Sequence, residues 1–354
     1  MKTQIYKKTG NTGLFDNEET CRKLSEIGNP LEKISNVIDF EVFRNTLESK
    51  LTNQNKKNNA GAKPFDVVMM FKILILQRYY GLGDTQIEYQ ILDRISFKKF
   101  LGLESGDKVP DEKTVWAFRE NLTTKGLVED IFFQFNNYLE LKGLIMNEGK
   151  MIDASFTIAP RQRNTRDENK IIKEGNGDEL WNDKPNKKKH KDIDARWTKK
   201  NGETFYGYKN HAKVDTKSKF IDKYEVTDAS VHDSQVLDDL LTEKDAGQDF
   251  HADSAYTGEE QEKIIDKYKM KNMVNEKGYR NNPLTKEQKE SNKEKSKTRA
   301  RVEHVFGFME QSMNGLMLKS VGKIRATGII GLINLTYNLF RYEQVIRLNI
   351  ITTK

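Results

Sequence analysis

The sequence predicts an α/β protein: an all-α N-terminal domain, then a mixed five-stranded sheet with helices on both faces. Two observations predict it. The run Phe65 to Gly81, FDVVMMFKILILQRYYG, is apolar around the whole helical circumference, the mark of a helix buried among other helices. From about Glu148, short β-type runs separated by turn signals replace the helical pattern.

Each element follows in order. A helical lead, Asn17 to Leu24 and Pro30 to Leu51, runs into the polar tract at 52–59, which reads as a linker. Residues 1–60 therefore form the lead and linker, and 61–145 an all-α domain. Within that domain Thr85 and Glu88 give a capping box, Gly102 stops a short helix, and Pro110-Asp111 opens EKTVWAFRENL. Closely spaced short helices of this grain resemble helix-turn-helix modules, and equally a plain packing domain.

Residues 146–348 carry the sheet. GKMIDASFTI, ETFYGYKNHAKVD and KFIDKYEVT read as three strands; then come a helix SQVLDDLL capped by Asp233, a strand GQDFHAD, a helix from Thr257 to Tyr268 and a strand KNMVN. A polar loop, Glu276 to Ser296, leads to the helix holding RARVEHVFGFMEQ. Three strands, helix, strand, helix, strand, helix is the order of the ribonuclease-H-like core. Between the first two strands lies a polar basic insertion, about 161–202, expected to be an exposed and disordered arm.

Charge narrows the partner. The net charge is +7, and the segment Trp181 to Lys219 alone holds 12 basic against 5 acidic residues; Lys267 to Arg301 holds 12 against 4. Segregated positive charge suits a phosphate-rich ligand. The single Cys21 excludes an internal disulfide, and no Cys/His spacing forms a zinc site. The beginning of the chain has no apolar secretory stretch, and Ala326 to Phe340 is too short and polar to span a bilayer, so a cytosolic protein without membrane contact is expected. Neither a G-x-x-x-x-G-K-[ST] loop nor a G-x-S-x-G elbow is present, which argues against ATP hydrolysis and a serine nucleophile.

Phosphoryl transfer needs carboxylates that converge on divalent cations. Asp153 lies in the first strand, Asp253 ends the fourth, and Glu303 sits on a helix docked by Val302, Val305, Phe306 and Met309. Each alone reads more readily as a cap or a solvated charge; together, in this topological order, they point to a nuclease-type site. Arg299 shares the face of Glu303, either orienting it, contacting phosphate or forming a surface ion pair. His251, Asp253 and His304 form a rival set for a metal phosphoesterase. Lys187, Lys188, Lys189, Trp197, Lys209, His211 and Arg301 supply the cations, rings and donors expected of a nucleic-acid surface, although the rings of Phe205 to His211 read more readily as a half-buried strand; Trp181 and Trp197, in a charged arm, gain little unless they dock on a partner, stacking on an unpaired base being one way.

At this point a family resemblance emerges. LFDNEE, PLEKISNVIDFEVFRNTLE, YYGLGDTQIEYQILDRISFKKFLGL, MIDASFTIAPRQRN, YGYKNHAKVDTKSKFI, VTDASVHDSQVLDDLL, HADSAYTG and RVEHVFGFM occur in one order. With them the chain resembles the bacterial insertion-sequence transposases of the DDE class, specifically the fifth insertion-sequence family. The resemblance implies a catalytic triad of Asp153, Asp253 and Glu303 that binds magnesium or manganese, as two ions. It implies cleavage of double-stranded DNA at terminal inverted repeats, strand transfer into target DNA, a homodimeric synaptic complex, and a bacterial cytoplasmic, nucleoid-associated setting. Related families carry Y-x2-R-x3-E-x6-K around the glutamate; Arg299 and Glu303 fit, while Ser296 stands at the Tyr position and Glu310 at the Lys position. A catalytically idle DNA-binding derivative and a general metal nuclease are the rival functions.

Overall fold

The computed structural model describes residues 13, 15–51, 63–104, 106–200, 202–279, 282–313 and 316–351; the polar tract at 52–59 lies outside them. The N-terminal half is helical: α1 (Asp16–Ile27), α2 (Pro30–Ser35), α3 (Arg44–Leu51), α4 (Val67–Tyr79), α5 (Asp84–Asp93), α6 (Ile95–Leu101), α7 (Glu112–Thr124) and α8 (Leu127–Leu141). Asp66 caps α4 by accepting from the amides of Val68 and Met69, and the helix then buries Val68 to Phe71 and Ile73 to Gln77. Full burial of such side chains is worth roughly 1.5–3 kcal/mol each. Asp111 caps α7 and Gly102 ends α6 at φ 75°, as expected. The box expected at Thr85 and Glu88 is displaced: Gly83 precedes α5, and Gln86 reaches back to its amide.

The sheet contains β1 (Gly149–Ile158), β2 (Arg196–Lys200), β3 (Glu203–Asp215), β4 (Ile221–Asp228), β5 (Asp249–His251) and β6 (Lys271–Asn272). Its order is β2-β3-β1-β5-β6, with β4 also paired to β3; β1, β3 and β4 are antiparallel neighbours, and β1, β5 and β6 parallel ones. There are thus six strands among the described residues, not five. The extra one, β2, comes from the basic insertion and pairs with β3 over 203–207, ahead of the stretch that pairs with β4. At the junction Gly207 adopts φ 148°, where an added Cβ would stand 2.2 Å from the Thr157 carbonyl.

The insertion is folded, contrary to expectation. It holds α9 (Arg166–Lys173) and α10 (Pro185–Lys189), built around Glu168. That carboxylate accepts from the amide of Thr165, from Trp181 Nε1 at 2.6 Å and from Lys187 Nζ at 2.7 Å. These donors, Lys187 first, hold its pKa down at about 2. Trp181 is buried, with the ammonium groups of Lys187 and Lys191 over its ring, so it docks on its own chain instead of a partner's base. Asp192 ties the unit to the rest by accepting from Tyr208 Oη and from the Gly322 amide.

Helices α11 (Leu237–Leu240) and α12 (Glu259–Lys267) cover one face of the sheet; α13 (Lys286–Gln311) and α14 (Lys323–Arg347) cover the other. Half of the loop expected at Glu276 to Ser296 is helix, because Thr285 and Gln288 form a capping box and the Lys/Glu-rich residues after it are good helix formers. The run Ala326 to Phe340 is the buried middle of α14, which contacts α4, α7, α8 and β4 and so joins the helical half to the sheet. Gly328 permits that approach, since a Cβ there would lie 2.3 Å from Thr123 Oγ1. Among the described residues no helix is long and apolar enough to cross a membrane.

Candidate active site

Strand alternation builds the site. Met151 belongs to the core under α13 and α14, and Ile152 to the core under α11 and α12. Asp153, two residues after Met151, therefore faces α13. Met151 pairs with His251 at the end of the parallel β1–β5 ladder, and Asp153 and Asp253 each follow two residues later, close enough for the charge of Asp253 to act on Asp153. Asp253 keeps extended backbone just past β5 and caps the turn Ser254–Tyr256 by accepting from the Ala255 amide at 2.9 Å.

Helix α13 brings the third carboxylate. Arg299 spans from it to the sheet, with Nη1 3.8 Å from Asp153 Oδ2 and Nη2 3.2 Å from Glu303 Oε1. The Glu303 side chain is 59% exposed and that of Asp153 19% exposed. Burial, and then the neighbouring charge of Asp253, push the Asp153 carboxyl up to about 6, against the pull of the Ala154 amide and Arg299. The Tyr256 hydroxyl is buried, feels Asp233, Asp153 and Asp253, and has no hydrogen-bond partner among the described residues.

The donor set fits a divalent cation. Three carboxylates offer only hard oxygen ligands, as magnesium and manganese prefer, and a cation would offset the burial and the Asp253 charge that together raise Asp153. The side chains are not preformed as a cage: among the described residues no three His, Cys, Asp or Glu groups converge tightly enough to hold a metal. Arg299 occupies the bridging position instead.

The other expected contacts divide. Trp197 is 48% exposed on β2, tilted against Tyr206 and under the Arg161 guanidinium. Lys189 is exposed, while Lys187 is committed to Glu168, and Lys188 to the Asp178 carbonyl and Asn182. Arg301 leaves α13 on another face, donates to the Thr216 carbonyl at 3.2 Å and lines a cavity of about 540 Å³ where β1 and β5 begin. Lys209 and His211 are buried and therefore do not form the surface expected of them. Lys209 Nζ binds Asp233 at 2.8 Å and the Val231 carbonyl, and His211 Nε2 lies 2.8 Å from Thr227 Oγ1, its pKa lowered to about 4 chiefly by burial. Their position on a strand paired on both sides explains the enclosure.

The rival histidine set is not assembled: His251 lines the cavity beside Arg301, and His304 a separate one beside Phe308 and Tyr337. Ser296, at the family's Tyr position, accepts from Asn275 Nδ2, and Glu310 is exposed. Sequence reasoning passed over Asp233, Lys200 and Tyr256, which surround the carboxylates. Asp233 read only as a helix cap, yet its side chain binds Lys209 and lies 4.0 Å from Lys200 Nζ. The available signal was the tight sequence packing of His232-Asp233-Ser234 and of Asp253 with Tyr256.

Residues 152–339, more than half the chain, match the Transposase DDE domain, and residues 19–121 match a Transposase domain (DUF772). No solved structure matches the chain. The first match spans the six-stranded mixed sheet and the second the helical half, and both lead to one conclusion: the chain belongs to the DDE transposases of insertion sequences.

Proposed function

We propose that this transposase cleaves DNA at the terminal inverted repeats of its element and transfers the freed 3′ ends into target DNA, with Asp153, Asp253 and Glu303 as the metal-binding triad. The carrying observation is Arg299 linking Asp153 to Glu303, together with Asp253, whose charge acts on Asp153 from beyond the end of β5. Two in-line phosphoryl transfers suffice: water attacks the phosphorus at the element end and frees a 3′ hydroxyl, and that hydroxyl then attacks a target phosphorus, joining to the target's 5′ side and releasing a target 3′ hydroxyl. Magnesium or manganese, as two ions, would supply activation of the attacking oxygen and stabilisation of the leaving oxygen. The chain's own part is to hold three carboxylates on rigid elements, to keep Arg299 beside them for orientation or phosphate contact, and to exclude water behind Tyr256.

The residues at 61–145, the insertion at 161–202 with Lys189 and Trp197, and the exposed cations before Arg301 are the proposed grips on DNA. Two ends must be joined, so two copies act in the synaptic complex. The phrases quoted above favour the fifth insertion-sequence family as its branch.

The test is incubation of the protein with magnesium and a supercoiled plasmid that carries the gene's flanking DNA, beside Asp253→Ala and Glu303→Ala. Cleavage at both flanks and joined products, absent from both variants, are expected. Nicks without joined products would leave a general nuclease; bound but uncut flanks, with manganese as well, would leave a DNA-binding derivative.

A further inference from the structure

A cavity of about 430 Å³ lies between the helical half and the catalytic half, away from the carboxylates. It is bounded by the α4–α5 turn, by α7, and by the segment that runs from Met317 into α14. Met317 bridges to Ile158, so the cavity sits at the far end of β1.

Its lining is electrostatically unbalanced. Three cations, Arg78, Arg119 and Lys319, face a single carboxylate, Asp84. Asp84 is already spent: it takes Arg119 in a bidentate pair at 2.5 and 2.6 Å, and Gln77 Nε2 at 2.8 Å. Arg78 has no hydrogen bond or ion pair among the described residues, and its Nε is shielded from solvent. Burial, followed by repulsion from Arg119, pulls its pKa down to about 10. A guanidinium stays charged at that value, so the charge is present with no direct partner, and Asp84, already paired with Arg119, offsets it only in part.

Two further donors point the same way. Ser320 Oγ is shielded and unpartnered among the described residues. Lys319 Nζ stands only 3.2 Å from where a Cβ on Gly83 would be, at the N-terminus of α5, whose first-turn amides receive no side-chain cap. A cation at the positive end of a helix is unfavourable unless an anion shares the place, and the one carboxylate there, Asp84 at the first position of α5, is held by Arg119.

We infer that this interdomain cavity is a phosphate site, in which Arg78, Lys319, Ser320 and the start of α5 take one tetrahedral phosphate group. The group comes either from the backbone of bound DNA or from free phosphate. The backbone source rests on the proposed DNA-end binding; the site itself does not. Exposed Lys319 marks the open side of the cavity.

The experiment uses the full chain, Arg78→Met and Lys319→Gln. Unfolding midpoints are read in inorganic phosphate and in chloride of equal ionic strength, and DNA-end affinity is read against salt. Phosphate should raise the wild-type midpoint beyond chloride, and Lys319→Gln should respond less. Arg78→Met should have a higher midpoint than wild type without phosphate and no response to it. If the backbone fills the site, inorganic phosphate competes with DNA and the salt slope of Arg78→Met falls by about one log unit per log unit of salt. A phosphate-dependent midpoint with an unchanged slope assigns the site to free phosphate. Wild-type protein that responds to phosphate but binds no DNA end overturns the DNA reading alone. Equal effects of phosphate and chloride on wild type, with a lowered midpoint for Arg78→Met, overturn the site.

Discussion

Replacement of Asp153 by asparagine should stabilise the metal-free protein at neutral pH while removing its cleavage activity. The carboxyl is raised from 3.8 to about 6, mainly by burial and then by Asp253. One unit corresponds to 1.36 kcal/mol, so the ionised group costs the fold about 3 kcal/mol. The sign follows from proton uptake. Below about pH 4 both folded and unfolded chains hold the proton and the cost is absent; between 4 and 6 only the folded chain holds it; above 6 the full cost is present. Asparagine keeps the oxygen that accepts from the Ala154 amide at 2.8 Å and loses only the loose contact with Arg299 at 3.8 Å. Urea denaturation in chelator should therefore show Asp153→Asn about 1–3 kcal/mol more stable than wild type at pH 7.5 and equal to it near pH 4. Magnesium should stabilise wild type and not the variant, because only the former keeps the binding carboxylate. Strand cleavage should fall by roughly 10³-fold or more. A variant less stable than wild type at pH 7.5, or equally stabilised at both pH values, would refute the reasoning.

Further outcomes are as definite. Arg299→Gln removes the cation that bridges Asp153 and Glu303, so manganese titrated without DNA and followed by electron paramagnetic resonance should bind about tenfold more tightly, a gain of roughly 1.4 kcal/mol; unchanged affinity would show that the guanidinium does not compete. Gly207→Ala meets the Thr157 carbonyl at 2.2 Å and should cost about 3 kcal/mol or more, seen as a lowered denaturation midpoint or loss of soluble protein. Trp181→Ala withdraws a buried ring and the 2.6 Å bond to Glu168, and should cost about 3–5 kcal/mol locally, so protease should cut within 161–202 while the Asp253 region stays protected.

The division between sequence and tertiary structure is visible residue by residue. Local pattern was enough for α4, where an all-round apolar run has one stable outcome, burial among helices. It was enough for β1, which the run GKMIDASFTI outlines from end to end, and for the capping Asp at 111. The candidate triad was legible because its three carboxylates lie on elements whose order is written along the chain, and the family phrases run through the same residues.

Composition misled where tertiary partners outweigh it. The insertion looks like a solvated arm until Glu168 gathers Trp181, Lys187 and the Thr165 amide, a constellation drawn from three separate turns of chain. Lys209 and His211 look like surface donors, but pairing of β3 on both edges encloses them, and Asp233 supplies the counter-charge that makes a buried lysine tolerable. The central role of α14 was hidden as well, since which helices it touches is decided by packing across long sequence separations. Sequence by itself determined the fold class and most local elements, because periodicity and capping act over a few residues, and it nominated three carboxylates as candidates. Only the tertiary structure decided which charges are spent on each other and which, such as Arg78, are left facing a cavity, because desolvation and pairing depend on neighbours that the chain brings in from elsewhere.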